Sequence, residues 1–442
     1  MKKKISKYCL KYFSKYSHIH LSFYGKLKKF MQNKKYIPVS GKVFNQEEID
    51  NAIEAAKDCW WTEGKFSKTF ENDFKKFLGV KYVSLVNSGS SANLLALACL
   101  TSEIFGDKKL KAGDEFITTP VAFPTTVNPG IQYGLKPVFI DACVNTLNID
   151  VKQIEKAISK KTRLIMLAHT LGFSYNLKEI LKLVKKYKLW FIEDCCDALG
   201  SKYNDKFLGT FGHLATFSFY PAHHITMGEG GAVITNDPLI HKSIRQFRDW
   251  GRDCWCGTGE DNTCKNRFKW KLGELPLGYD HKYIYSQIGY NLKLTDFQAA
   301  IGVAQLKKLP KFIKQRKTNY KILYDFFKQY EKYFILMKEE KNADNSYFGF
   351  PIIVKDNAPF TRNELTEYLE NNQIATRNIF AGNLLRHPAY LKLRKNFRII
   401  GSMENADLIM NNAFWLGVWP GIKKQDYNFI LKTLQKFLKK YE

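Results

Sequence analysis

Between Tyr82 and Thr235 the chain carries seven short apolar runs rich in β-branched and aromatic residues: Tyr82–Val86, Phe116–Thr119, Pro137–Ile140, Leu164–Leu167, Leu189–Glu193, Thr216–Tyr220 and Ala232–Thr235. Helical stretches separate them, clearest at Ala92–Thr101, Val151–Ile158 and Leu177–Lys188. Strands that alternate with helices are joined by crossovers, so the sheet they build is mostly parallel and covered on both faces. The pattern predicts an α/β domain. Ligands of such sheets bind beyond the carboxyl ends of the strands, which directs attention to the loop after each run.

After Leu294 the texture changes. A long helical pattern runs from Thr295 to about Phe334, followed by mixed strands and helices that include Tyr347–Val354. A chain of 442 residues exceeds what one core usually holds. We therefore expect a basic N-terminal tail over 1–37, a large α/β domain over 38–300, and a linking helix with a small C-terminal α+β domain over 301–442. The tail is basic and aromatic without a clear period, which fits a surface helix, an amphipathic membrane-touching helix or no helix at all.

Composition narrows the function class. Apolar residues make up 45% and charged residues 25%, as in soluble globular proteins. No apolar run approaches the roughly 18–20 residues that span a bilayer, and Met1-Lys2-Lys3-Lys4 leads into no apolar stretch of the kind a signal peptide needs. The expectation is a cytoplasmic protein without a transmembrane segment. The net charge of +27 would suit nucleic acid or a membrane surface. However, the lysines are spread along the whole chain, with no arginine-rich strip and no nucleic-acid module. A solvated basic surface explains this, or one that attracts an anionic substrate or acidic redox partner; nucleic acid is not expected. Nine cysteines, irregularly spaced, do not make a secreted disulfide framework.

Three loops carry candidate chemistry. Asn87-Ser88-Gly89-Ser90-Ser91-Ala92-Asn93 ends the first run and opens a helix. Such a turn offers backbone N–H groups, hydroxyls and a positive dipole end to a phosphate, although serine-rich helix caps have the same composition. Phe191-Ile192-Glu193-Asp194 places an acid at a strand end, where it can pair with a protonated pyridine nitrogen, cap a helix or bind a metal. Ser218-Phe219-Tyr220-Pro221-Ala222-His223-His224 then leads into Gly228-Glu229-Gly230-Gly231.

In this order the three loops resemble the fold-type I pyridoxal-phosphate enzymes, and more narrowly the sugar aminotransferase (DegT/DnrJ/EryC/StrS) family. The resemblance runs from about residue 38 to the end and includes Trp61-Thr62-Glu63-Gly64-Lys65-Phe66 and Gly289-Tyr290-Asn291-Leu292-Lys293-Leu294-Thr295-Asp296. It implies a large cofactor domain with a mostly parallel sheet. Ser90, Ser91 and Ser218 would hold the cofactor phosphate, Asp194 the pyridine nitrogen, and Phe123 would stack on the ring. Asp197, standing where relatives carry glutamine, would lie near the ring hydroxyl. Asn291 would reach a phosphate in the neighbouring subunit, which implies a homodimer. The departure is informative: the family's Schiff-base lysine is replaced by His223. Imidazole forms no covalent link to pyridoxal, yet it is a base near neutral pH. The resemblance thus implies non-covalent pyridoxamine 5′-phosphate (PMP/PLP) and proton removal at its C4′ carbon by His223, with His224 as the fallback base.

Four cysteines form a second constellation. Cys254-Trp255-Cys256 is followed by Cys264 after seven intervening residues, within a Gly- and Asp-rich loop at 250–265, and Cys196 lies 57 intervening residues before Cys254. Four thiolates suit a [2Fe–2S] cluster or a structural zinc, and the C-x-C spacing is unlike the usual zinc knuckle. Together with the histidine replacement they resemble the family branch that removes the C3 hydroxyl of CDP-4-keto-6-deoxyglucose. Phe123-Pro124-Thr125-Thr126-Val127-Asn128-Pro129, Gly172-Phe173 and Phe414-Trp415-Leu416-Gly417-Val418-Trp419-Pro420-Gly421 match that branch.

That branch implies Cys196, Cys254, Cys256 and Cys264 as ligands, with Cys195 as a possible substitute for Cys196. It further implies a nucleotide-diphospho-4-keto-6-deoxyhexose substrate, an NAD(P)H-dependent flavin iron–sulfur reductase as partner, and a role in 3,6-dideoxysugar and lipopolysaccharide O-antigen biosynthesis. The alternative is a cluster-independent PMP/PLP 3-dehydratase with the same histidine. A sugar-nucleotide sensor without turnover is a third reading. His169, at a strand end, and Arg377, Arg386 and His387 are further candidates for substrate contacts, or plain structural and surface groups.

Overall fold

The computed structural model describes residues 36–442, so the expected tail over 1–37 lies almost wholly outside the described residues. Among the described residues fifteen strands follow in chain order: β1 Tyr82–Val86, β2 Glu115–Thr118, β3 Lys136–Ile140, β4 Thr162–Ala168, β5 Trp190–Asp194, β6 Lys202–Tyr203, β7 Lys206–Phe207, β8 Leu214–Ser218, β9 Gly231–Thr235, β10 Phe334–Ile335, β11 Ala343–Asp344, β12 Gly349–Val354, β13 Arg377–Asn378, β14 Arg398–Ile400 and β15 Ala413–Gly417.

Eight of them form one sheet in the order β1-β9-β8-β5-β4-β2-β3-β14. From β8 to β14 every neighbour is parallel, while β9 runs antiparallel to both β1 and β8. The strands alternate between two apolar cores. In β4, Leu164 and Met166 face one core, whereas Ile165 and Leu167 face the other. Both faces are therefore apolar, which is why these strands read as unbroken apolar runs. The fold is that of an α/β protein with a large, mostly parallel sheet, as expected. β10, β12, β15 and β13 make a separate antiparallel sheet, and β11, β6 and β7 a small third one. One strand of the C-terminal stretch, β14, pairs in parallel with β3 and so extends the large sheet.

The helix Asp296–Phe327 ties these parts together. It packs against the helices Gln46–Lys57 and Lys65–Leu78. The second of these begins at Gly64, which has no side chain to cap it. The carboxylate of Asp296 does so from a distance, accepting the N–H groups of Gly64, Phe66 and Ser67 at 2.8–3.0 Å. Among the described residues no helix is long and apolar enough to cross a membrane.

Candidate active site

At the carboxyl end of β1 the chain enters the helix Gly89–Ala98, and Ser88 caps it by accepting the Ser91 N–H at 3.0 Å. Ser88 also donates to the Ser91 hydroxyl at 3.0 Å. Ser91 is thus engaged with the cap, while Ser88, Gly89 and Ser90 line a large cavity. Ser218, the last residue of β8, closes this turn from below. A Cβ at Gly89 would come within 2.4 Å of the Ser218 Cβ, so only glycine permits this approach. Free N–H groups, hydroxyls and a helix N-terminus converge here into a phosphate-sized cup.

Asp194 ends β5 and is 4% exposed. One carboxylate oxygen accepts from Asn93 Nδ2 and Thr126 Oγ1, both at 2.8 Å, and the other from the Cys196 N–H at 3.1 Å. Asn93 is itself oriented by Thr216 Oγ1, which donates to its Oδ1 at 2.7 Å. Sequence reading did not pick out Asn93 or Thr126 as functional, although both stand in stretches it singled out.

The cavity has a volume of about 920 Å³, and its walls include Ser90, Phe123, Asp194, Cys196, Asp197, Ser218 and His223. Phe123 is half exposed at the rim, edge-on to Phe380 with ring centres 6.0 Å apart. His223 Nδ1 lies 3.7 Å from Asp197 Oδ1, and the ring tilts over Phe348 at 5.1 Å. Burial and the nearby Arg316 guanidinium bring the His223 pKa down to about 3. Burial and the Asp194 charge push Asp197 up to about 8. Both groups are therefore neutral at pH 7. Arg316 is fully buried and donates to the carbonyls of His223, Tyr347 and Phe348 at 3.1–3.2 Å, which fixes the histidine loop. Nothing in the sequence distinguishes it from the solvated lysines around it.

Other candidates fall elsewhere. His224 points away from the cavity and meets Ser346 Oγ through Nε2 at 2.9 Å. His169 is buried, 3.2 Å from Glu193 Oε2 and stacked on Tyr175 at 4.0 Å. Arg377 lines the cavity, whereas Arg386 pairs with Asp407, and His387 Nε2 donates to the Ala381 carbonyl, 2.8 Å away. Asn291 is exposed, outside the cavity of its own chain, and accepts from Lys293 Nζ at 2.9 Å.

Of the four cysteines, three come together: Cys254, Cys256 and Cys264 line a small hollow with Arg267, His281 and Lys282. Burial works against ionisation of Cys256. Hydrogen bonds from the Thr263 hydroxyl and the Cys264 N–H outweigh it and bring the thiol to about 7. Cys196 instead lines the large cavity, its thiol pushed well up by burial and by Asp194. Cys195 is fully buried, in a group with His169 and Glu193 whose donor atoms lie within 4.8 Å of one another.

Comparison with known proteins decides the family. Residues 43–435 match the model of the DegT/DnrJ/EryC1/StrS aminotransferase family. The chain belongs to this family. Among DegT/DnrJ/EryC1/StrS proteins it is 48% identical over 410 residues to lipopolysaccharide biosynthesis protein RfbH of Salmonella typhimurium, covering 93% of each chain. It is 45% identical over 401 residues to dTDP-4-dehydro-2,6-dideoxy-D-glucose 3-dehydratase of Saccharopolyspora spinosa, covering 91% of this chain and 86% of that one. Its structure resembles that of GDP-4-keto-6-deoxy-D-mannose-3-dehydratase of E. coli with bound hydrated PLP. The two share a TM-score of 0.79 and 31% identity, with 91% of this chain and 99% of that one covered. This DegT/DnrJ/EryC1/StrS chain is thus an enzyme of a sugar dehydratase and aminotransferase family.

Proposed function

We propose that the protein removes the C3 hydroxyl of a nucleotide-linked 4-keto-6-deoxyhexose, with CDP as the nucleotide, in 3,6-dideoxysugar biosynthesis. The observation that carries this reading is the cavity wall itself. Among the described residues it contains His223 but no lysine, in a chain with 69 Lys and Arg. A family site with a phosphate cup and a strand-end acid but no lysine can bind the cofactor without a covalent link. The named dehydratase relatives support C3 as the position of attack, and the sequence resemblance supports CDP.

The lining residues fit pyridoxamine phosphate. Ser90, Ser218 and the Gly89 turn, supported by Ser91, would hold its phosphate, Asp194 its ring nitrogen, Phe123 its face, and Asp197 would lie near the ring hydroxyl. When bound, the cofactor supplies an amine that captures the C4 ketone and a ring that draws electrons from neighbouring carbons. Asn93 and Thr126 keep the Asp194 carboxylate aimed at one point. His223, neutral and with Nδ1 turned to Asp197, presents Nε2 as the atom that takes a proton beside the ring and passes it to the departing C3 hydroxyl. Arg316 anchors the histidine loop, and Arg377 at the cavity wall supplies positive charge for a diphosphate.

Cys254, Cys256 and Cys264, with Cys196 as the fourth, are the ligands we assign to a [2Fe–2S] cluster. A cluster supplies electrons one at a time from an NAD(P)H-dependent flavin iron–sulfur reductase. The enzyme would act as a homodimer, with Asn291 turned to the neighbouring subunit.

The test is an anaerobic visible spectrum of the purified protein with iron and acid-labile sulfide assayed on the same sample. Broad brown absorption, with iron and sulfide present in equal amounts, supports the reductive reading. Turnover of CDP-4-keto-6-deoxyglucose to a C3-deoxygenated product, in the presence of a flavin reductase and NADH, completes it. Protein that stays free of iron after reconstitution leaves the cluster-independent 3-dehydratase, and zinc would make the cysteines structural.

A further inference from the structure

The four cysteines are split between two places in one chain. Cys196 opens into the cofactor cavity, where its titratable neighbours are Asp194, Asp197 and Cys195. Cys254, Cys256 and Cys264 line their own hollow, and the first two are neighbours of each other. Among the described residues, no set of three or more donors close enough to share a metal includes any of these four.

The cysteine loop is also tied down where it stands. Asp253 N–H donates to the Ile284 carbonyl at 2.8 Å, and the Asp253 carboxylate meets His281 Nε2 at 2.8 Å. Thr258 Oγ1 donates to Glu63 at 2.8 Å, Lys68 pairs with Glu260 at 2.7 Å, and Arg267 forks onto Asp280. A swing of this loop toward Cys196 of the same chain would break these bonds. A cluster held by cysteines alone takes four thiolates, and this hollow offers three.

The segment that carries the three cysteines has many exposed apolar side chains. Trp255, Phe268, Tyr279, Tyr283 and Tyr285 are exposed, as are Leu277 at 74% and Ile288 at 95%. The rim of the cofactor cavity is apolar in the same way, with Phe123 and Tyr220 about half exposed. Exposed aromatic side chains in this number mark surfaces covered in an assembly. A second copy of this chain answers both needs, because a two-fold axis that brings one loop over the partner's cavity also does the reverse.

We infer that each [2Fe–2S] cluster is shared between subunits, with Cys254, Cys256 and Cys264 from one chain and Cys196 from a second copy. This rests on the cluster reading above. The fourth ligand would then bring the cluster to the mouth of the partner's cofactor cavity.

Complementation between two variants tests it. Cys196→Ser and Cys264→Ser are co-expressed with different affinity tags, and the mixed dimer is isolated by two successive purifications. A shared site predicts that each variant alone lacks the cluster. The mixed dimer, with one intact set of four, should regain half of the wild-type iron, sulfide and reduced-state paramagnetic signal. Wild-type protein with a cluster and a mixed dimer without one would place all four ligands in one chain and overturn the inference. So would a Cys196→Ser homodimer that keeps its cluster, or a cluster-bearing monomer on size exclusion. Wild-type protein without iron would instead sink the cluster reading itself.

Discussion

His223 and Asp197 face each other at 3.7 Å as two neutral groups, not as an ion pair. Burial and Arg316 keep the imidazole unprotonated, with a pKa of about 3, and burial with Asp194 keeps the carboxyl protonated up to about 8. A charged pair would leave the histidine already protonated, whereas a neutral pair leaves its second nitrogen unprotonated.

The pair has a signature in the pH dependence of stability. Asp197 keeps its proton in the folded state up to about 8, against 3.8 in an exposed carboxyl. Between these values the folded state binds more protons than the unfolded one, so this contribution falls as pH rises. His223 works in the opposite sense, but only from about 3 to 6.5. Between pH 6.5 and 8 only Asp197 of the pair still contributes, and other groups that titrate there, Cys256 among them, cancel in a comparison with Asp197→Asn. The Tm of the wild type should fall relative to that of Asp197→Asn by roughly a few °C across this interval. Calorimetry at constant ionic strength checks it, and parallel profiles would contradict the assignment.

Restoring a lysine should restore covalent chemistry. His223→Lys incubated with pyridoxal phosphate and reduced with borohydride should gain the mass of one pyridoxyl phosphate at residue 223. The wild type treated alike should gain none there. Peptide mass spectrometry reads the difference.

The phosphate turn tolerates no side chain at Gly89, because the Ser218 Cβ would be 2.4 Å away. Gly89→Ala should weaken pyridoxamine phosphate binding by about tenfold or more, the equivalent of about 1.4 kcal/mol. Ser218→Gly in the same chain removes the clash and should recover part of the loss, as measured by cofactor fluorescence titration.

Arg248 is 3% exposed and clasps Glu63 with two bonds at 2.7 and 2.9 Å. Glu63 also accepts the Thr258 hydroxyl of the cysteine loop. Glu63→Ala strips a buried guanidinium of one of its two acidic partners, Asp249 remaining. Loss of a buried partner costs about 3–5 kcal/mol when nothing replaces it, so a loss at the lower end is expected here. Urea denaturation measures it, and Glu63→Gln should lose less because it can still accept and donate.

The central strands were legible because burial on both faces demands apolar runs. β1 falls where the run Tyr82–Val86 placed it, and β5 is displaced by one residue. The run Thr216–Tyr220 extends two residues past β8, which ends at Ser218, because the aromatic pair Phe219-Tyr220 belongs to the turn beside the cavity. The long helix stops at Phe327, short of the expected Phe334, where residues pass through a short turn into β10. β14 was not legible: three half-buried residues beginning with Arg398 give no apolar run. The same limit hid Arg316, whose burial depends on carbonyls supplied by distant loops, and the bonds from Asn93 and Thr126 to Asp194, which join residues 101 and 68 positions apart.

β14 also restricts where this chain can be cut. Because it pairs along β3, the outermost strand of the large sheet is supplied by residues 398–400, after most of the small antiparallel sheet has been laid down. A fragment that ended near residue 300 would leave β3 as a bare edge with its hydrogen-bonding groups unpaired, open to any other strand. The ribosome delivers that covering segment long after β3 itself, so the nascent protein must keep an adhesive border shielded until residues 398–400 arrive.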